Sequence, residues 1–257
     1  MGKVVFVGAG PGDADLITRR GAARLAEADV VLFDALTDPA LRELAPRALW
    51  IDVGKRGFSA DDSTAQATID ALLVRHARQA GTVVRLKGGD PSIFGRLEEE
   101  LDALAEAGIE CEVVPGVTAA LAAAAATKRP LTRRGAKQGP VGRSVSLTTA
   151  YTRAGDVQAT RTADTEVFYM AGKQLAALSR RLAEAGWPGD TPAFVVSRAG
   201  TARMRQSEHS VATLAEASLL HAGRPTVVTV GAGAVAVTAR ERSAPTAHAG
   251  PVETLEP

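Results

Sequence analysis

At 257 residues, 46% of them hydrophobic, the chain can bury a sizeable core and sits at the upper end of one domain or the lower end of two. Its formal charge of +1 excludes broad electrostatic binding to nucleic acid or an anionic membrane, so an anionic ligand must be met by a local basic cluster. A single cysteine, Cys111, excludes an internal disulfide; within the apolar run ECEVV it is expected to be a buried, inert thiol, as suits a cytoplasmic protein.

The opening MGKVVFVGAGPG breaks at glycine and proline too early for a signal peptide, and no later run reaches about 18 apolar residues, so a soluble protein with no membrane partner is expected. Short β-branched runs at Val4–Val7, Val30–Phe33, Trp50–Val53, Val83–Leu86 and Glu112–Val114 alternate with helical patterns at Asp15–Ala28, Ser63–Ala80, Ile93–Ala107 and Thr118–Ala126. Such alternation predicts an α/β lobe with a largely parallel sheet. Ser63 and Gln66 stand at capping-box spacing, and Gly108 is placed to end the third helix.

After Pro130 the polar, basic stretch LTRRGAKQGPVGR reads as a connection between lobes. The expected organisation is an N-terminal lobe over 1–134, a linker over 135–143, a C-terminal α/β lobe with a mixed sheet over 144–238, and a disordered tail over 239–257. The second lobe takes strands from Ser144–Thr149, Glu166–Met170, Ala193–Arg198, Met204–Val211 and Thr226–Val230, with helices at Gln174–Ala185 and Thr213–Leu220. The tail ARERSAPTAHAGPVETLEP lacks apolar periodicity.

Two strands run straight into glycine turns, VVFVGAGPGD at Val4–Asp13 and VVRLKGGDPSIFGR at Val83–Arg96. Glycine there lets a ligand approach bare backbone, and two such turns suggest one bound cofactor. A dinucleotide fingerprint GxGxxG begun at Gly8 requires glycine where Asp13 stands, although Asp34 does occupy the acidic position at the end of the second strand. The four histidines, His76, His209, His221 and His248, have no ligand spacing, so no metal is expected.

In order, GAGPGD, VVLFD, VGKR, RLKGGDPSIFGR, VVPGVTAA, PLTRRG and VFYM resemble the tetrapyrrole methylase family over roughly Val4 to Gly231. The resemblance implies a homodimer with its active site in the cleft between two lobes, S-adenosyl-L-methionine as cofactor, S-adenosyl-L-homocysteine as product and a tetrapyrrole substrate. Within the family, KGGDP followed by FGR is most similar to members that methylate uroporphyrinogen III at C2 and C7, giving precorrin-2 for siroheme, cobalamin or heme d1.

Carried over by motif, the cofactor site takes Pro11, Gly88, Gly89, Asp90, Ile93, Thr118, Ala119, Met170 and Ala199. Without the resemblance, Met170 reads as core packing in the strand VFYM. Asp34 and Lys55 match positions with acid/base roles, which suits a reaction that sheds a proton after carbon methylation; by themselves they read as a strand-end cap and a surface lysine. An acidic macrocycle calls for guanidinium groups, and Arg96 and Arg134, with Glu99, match family positions, while Lys128 and Arg133 are further candidates. Against this, Glu98, Glu99 and Glu100 also read as a solvated first turn that complements the helix dipole, and Arg133 and Arg134 as linker charges.

Several positions depart from the family pattern. Arg133 replaces a histidine, Leu97 and Glu98 replace two glycines, Ala35 stands where an arginine is usual, Thr148–Tyr151 replaces VTGH, and extra residues occur before Ser63 and around Gly139–Arg143. They leave open a sibling enzyme acting on a later corrin precursor, or a regulator that binds the cofactor without turnover.

Overall fold

The computed structural model describes residues 2–54, 62–135, 140–151 and 156–237. Among these, ten strands form two five-stranded sheets, each strand within a residue of its expected place. Strands β1 (Lys3–Gly8), β2 (Val30–Phe33), β3 (Leu49–Asp52), β4 (Thr82–Lys87) and β5 (Cys111–Val114) build a parallel sheet in the order β3-β2-β4-β1-β5. Strands β6 (Val145–Thr149), β7 (Thr165–Tyr169), β8 (Pro192–Ser197), β9 (Arg205–Ser210) and β10 (Thr226–Gly231) build the second, ordered β6-β7-β10-β8-β9. It is mixed, since only β6 and β7 run parallel.

Helices cover both faces of the first sheet, which is why its central strands are apolar without alternation. Val4, Phe6, Leu32 and Val83 pack against Ile69, Leu73 and Ala77 of α2 (Asp62–Gln79) and Leu104 of α3 (Leu97–Glu106). Val5, Val7, Val31 and Leu86 pack on the other side with Leu25 of α1 (Arg19–Ala26) and with Leu41, which lies in an unforeseen 3-10 turn, Pro39–Leu44. In the second sheet, Phe168, Val195 and Val228 bury against Leu175, Leu178 and Leu182 of α5 (Leu175–Glu184).

Helix α4 (Ala119–Thr127) follows the first sheet in sequence but packs on the second. Ala122 and Ala123 touch the Phe194 and Val196 cluster, and Ala120 joins Val167, Tyr169 and Val227. Its alanines permit that close approach, and at its end the buried Arg129 lies over the Phe194 ring at 3.7 Å and donates to the Ala234 carbonyl at 3.0 Å. The lobes also meet where the Asp13 N–H, at the position that denies the dinucleotide fingerprint, donates to the Gly200 carbonyl at 2.7 Å.

Five expectations are corrected. The first helix does not run from Asp15: Ala14–Leu16 is a separate 3-10 turn, and α1 begins at Arg19, capped by Thr18, whose Oγ1 accepts from the Gly21 N–H at 3.0 Å. The third helix begins at Leu97 rather than Ile93, because Phe94 and Arg96 adopt left-handed backbone at φ 52° and 53° and break the first turns. Thr213–Leu220 is a 3-10 turn at Leu214–Ala217 that passes into the short α6 (Ser218–His221). Cys111 is exposed, on edge strand β5. Gln66 closes no capping box: its amide turns inward to donate to Asp70 at 2.8 Å and Glu100 at 3.4 Å, and the Ser63 side chain lies outside the described residues. The region 239–257 and part of the expected linker, 136–139, also lie outside them, although Arg133 and Gly142 pair as an antiparallel bridge across it.

Candidate active site

The C-terminal ends of β1, β4 and β5 each enter a glycine turn, and the three turns are fastened to one another. Gly10 and Gly89 exchange backbone hydrogen bonds, Gly89 N–H to Gly10 at 2.7 Å and Gly10 N–H to Gly89 at 3.2 Å. A Cβ added at Gly116 would lie 2.3 Å from the Gly89 carbonyl oxygen and 2.8 Å from Gly8 Cα, so the third turn fits only as glycine. Asp90 completes the fastening: one carboxylate oxygen accepts from the Gly116 N–H at 2.9 Å and the other from the Ser92 N–H at 2.8 Å.

These turns form one wall of a cavity of about 590 Å³ between the sheets. Gly89 has φ 74°, and a Cβ built there meets nothing within 4 Å, which leaves bare backbone facing open space. The opposite wall comes from the second sheet through Tyr169, Met170, Val196, Arg198, Ala199 and Thr226. Met170 and Arg198 also take left-handed backbone, at φ 57° and 53°. Such strain, about 1–3 kcal/mol per residue, persists where the surroundings dictate it and gathers at ligand sites. Tyr169 is buried, and burial pushes its phenol up. Its hydroxyl lies 2.7 Å from Thr118 Oγ1 and accepts from the Ala120 N–H at 3.4 Å, which fixes the start of α4 at the cavity.

All nine residues expected to hold a cofactor line this cavity: Pro11, Gly88, Gly89, Asp90, Ile93, Thr118, Ala119, Met170 and Ala199. Met170 is 37% exposed, so it is not core packing. The expected catalytic residues are more scattered. Arg96 and Glu99 form a two-pronged ion pair at 2.6 and 2.5 Å beside an adjoining depression of about 450 Å³, and Phe94 lines both spaces. Arg134 and Lys128 do not line the cavity, and Arg134 is exposed. Arg133 donates to the Val235 carbonyl, which ties the connection to the end of the second lobe. Lys55 lies outside the described residues.

Asp34 leads to a feature absent from the sequence reading. Its carboxylate accepts from Arg85 Nη2 at 2.7 Å; Arg85 Nε donates to Glu100 Oε1 at 3.1 Å, and Lys87 Nζ donates to Glu100 Oε2 at 2.8 Å. Arg85, Lys87 and Glu100 are buried on β4 and α3, whereas Asp34, at the end of β2, is partly open next to the cavity residues Ala35 and Leu36. Glu100 is thus no part of a solvated face. Burial opposes the charge on Arg85, but Asp34 and Glu100 outweigh it and hold its pKa above the usual range. Burial, then the Arg85 charge, pushes the Lys87 ammonium down. The available signal was RLK inside an otherwise apolar strand, since charges on a strand covered on both faces require buried partners.

A family profile described as Tetrapyrrole (Corrin/Porphyrin) Methylases matches residues 3–218. The chain belongs to this family. Among the relatives of this tetrapyrrole methylase, a uroporphyrinogen-III C-methyltransferase from Pseudomonas aeruginosa is 41% identical over 239 residues, covering 90% of this chain and 93% of its own. A siroheme synthase from Actinobacillus succinogenes is also 41% identical, but the match spans only 48% of that protein. In three dimensions the chain resembles the uroporphyrin-III C-methyl transferase of Thermus thermophilus complexed with S-adenyl homocysteine. That match has a TM-score of 0.77 and 34% identity, covering 90% of this chain and 98% of the other. Among the described residues no group of three or more histidine, cysteine or acidic side chains could hold a metal, and no helix is long and apolar enough to cross a membrane.

Proposed function

We propose that this tetrapyrrole methylase transfers methyl groups from S-adenosylmethionine to C2 and C7 of uroporphyrinogen III, releasing S-adenosylhomocysteine and giving precorrin-2. The observation that carries the reading is the inter-lobe cavity, where nine residues drawn from three glycine turns, α4 and the second sheet converge. Its volume, about 590 Å³, falls in the usual range for small-molecule sites, and the open backbone at Gly89 is the kind of cradle a nucleoside amino acid requires. The chain spans about half the length of the siroheme synthases it matches, so only methyl transfer is carried over from them.

The cofactor, when bound, supplies an activated methyl on a sulfonium, and the protein's part is positioning and electrostatics. Pro11, Gly88, Gly89, Thr118 and Ala119 hold the cofactor along the first wall, with Asp90 keeping that wall assembled. Ile93, Met170 and Ala199 close over it. Asp34 takes the proton the macrocycle sheds after its carbon is methylated, and Lys55 serves as its acid partner. Arg96, steadied by Glu99, and Arg134 meet carboxylates at the macrocycle rim. We further propose a cytoplasmic homodimer with no nucleic-acid or membrane partner, divided into lobes at 135–143.

The test is to incubate the protein anaerobically with S-adenosylmethionine and freshly reduced uroporphyrinogen III and weigh the product. A gain of two methyl groups is expected. Cofactor binding without methyl gain would replace this reading with a sibling substrate or a regulator.

A further inference from the structure

Only two charged residues line the cavity among the described residues, Asp90 and Arg198. Asp90 is committed, since both its oxygens accept backbone N–H groups of the glycine wall. The buried cations nearby, Arg85 and Lys87, are committed to Glu100, and Arg96, paired with Glu99, lines the adjoining depression rather than this cavity. Arg198 differs, because it is exposed and its guanidinium has no hydrogen-bond or ion-pair partner among the described residues.

Its backbone, in contrast, is firmly held. Arg198 follows directly on β8, its N–H donates to the Pro225 carbonyl at 2.9 Å, and its carbonyl accepts from Thr201 Oγ1 at 3.0 Å. It keeps φ 53°, where a glycine would carry no penalty. An arginine whose backbone is pinned at a largely apolar cavity brings an uncommitted positive charge to it, and a guanidinium pairs with a carboxylate through two parallel hydrogen bonds.

We infer that Arg198 is the carboxylate-binding residue of this cavity, a specificity element on the second lobe that faces the glycine wall of the first. The inference rests on the methyl-transfer reading, which offers two sources of that carboxylate: the amino-acid end of the cofactor and the acidic side chains of the macrocycle.

Three variants, Arg198→Ala, Arg198→Gly and Arg198→Lys, separate charge from strain, since glycine removes the guanidinium while relieving the backbone. Each is titrated by calorimetry with S-adenosylhomocysteine and with 5′-methylthioadenosine, the same thioether nucleoside without the amino-acid carboxylate, and then assayed for the KM of uroporphyrinogen III. If the partner is the cofactor, the alanine and glycine variants weaken S-adenosylhomocysteine binding by about ten- to a hundredfold and leave 5′-methylthioadenosine unchanged. If it is the macrocycle, both nucleosides bind as in wild type, and KM rises by about the same factor with kcat little altered. Lysine recovers part of the loss in either case.

Variants that fold and stay within twofold of wild type in all three measurements overturn the inference alone. Folded wild-type protein that binds no S-adenosylhomocysteine overturns the methyl-transfer reading and this inference with it.

Discussion

The two walls of the cavity solve the same problem with different materials. The first-lobe wall is backbone: Gly8, Gly10, Gly89 and Gly116 pack against one another without side chains, above a buried ionic chain from Lys87 through Glu100 and Arg85 to Asp34. The second-lobe wall is side chain, with Met170 and Arg198 presented from left-handed backbone. Behind it lies a hydroxyl–imidazole chain, in which the buried His221 bridges Ser197 and Ser207 at 2.9 Å each and Ser207 reaches His209 at 2.7 Å. A charged support is strong only while every partner is present; a neutral one fails when it becomes charged.

Removing one partner of the ionic chain therefore has the largest expected effect. Glu100→Ala leaves Lys87 buried without an anion and Arg85 with Asp34 alone, and should cost about 3–5 kcal/mol of stability in urea unfolding. The exposed pair Arg181–Glu184, at 2.9 Å, is the control, and its loss should cost no more than about 1 kcal/mol. Equal costs at the two sites would remove the distinction between support and surface.

The second wall is broken by acid. Burial, with His209 and Arg224 adding repulsion, lowers the His221 pKa to about 4 from 6.5. Between those values the unfolded chain binds the proton that the folded chain refuses, so stability is full above pH 6.5 and falls as pH drops toward 4. The expected loss is on the order of 2–3 kcal/mol, and His221→Gln should flatten that part of the stability curve. A curve of unchanged slope in the variant would clear His221 of the effect.

Gly116→Ala places a methyl 2.3 Å from the Gly89 carbonyl oxygen and should cost about 1–3 kcal/mol while weakening cofactor binding. The smallest effect on stability belongs to Arg96→Ala, within about 1 kcal/mol because the Arg96–Glu99 pair is exposed. Turnover should nevertheless fall by about ten- to a hundredfold. Loss of stability without loss of turnover would reverse the role given to that pair.

The contrast also explains what could be read in advance. Strands covered on both faces are β-branched runs, and glycines at their ends mark where bare backbone is required, so two of the three turns of the first wall were legible; the third, at Gly116, was not, and the individual cofactor residues followed from the family resemblance. The wall's support was not legible either, because Glu100 looks like one of three solvated acids until α3 is placed over β4. Phe94, Arg96, Met170 and Arg198 carry no sign of their left-handed backbone, since nothing in a non-glycine side chain announces it. For that reason the start of α3 was misplaced, and Arg198 passed as the last residue of a strand.

The most direct test of the cavity as the cofactor site is calorimetric titration of S-adenosylhomocysteine into wild type and Gly89→Val. A side chain at Gly89 points into the open space a ligand needs, though at φ 74° it also strains the backbone, so a melt must first show the variant folded. The account predicts saturable binding to wild type and none to the folded variant; wild-type affinity in Gly89→Val would contradict it.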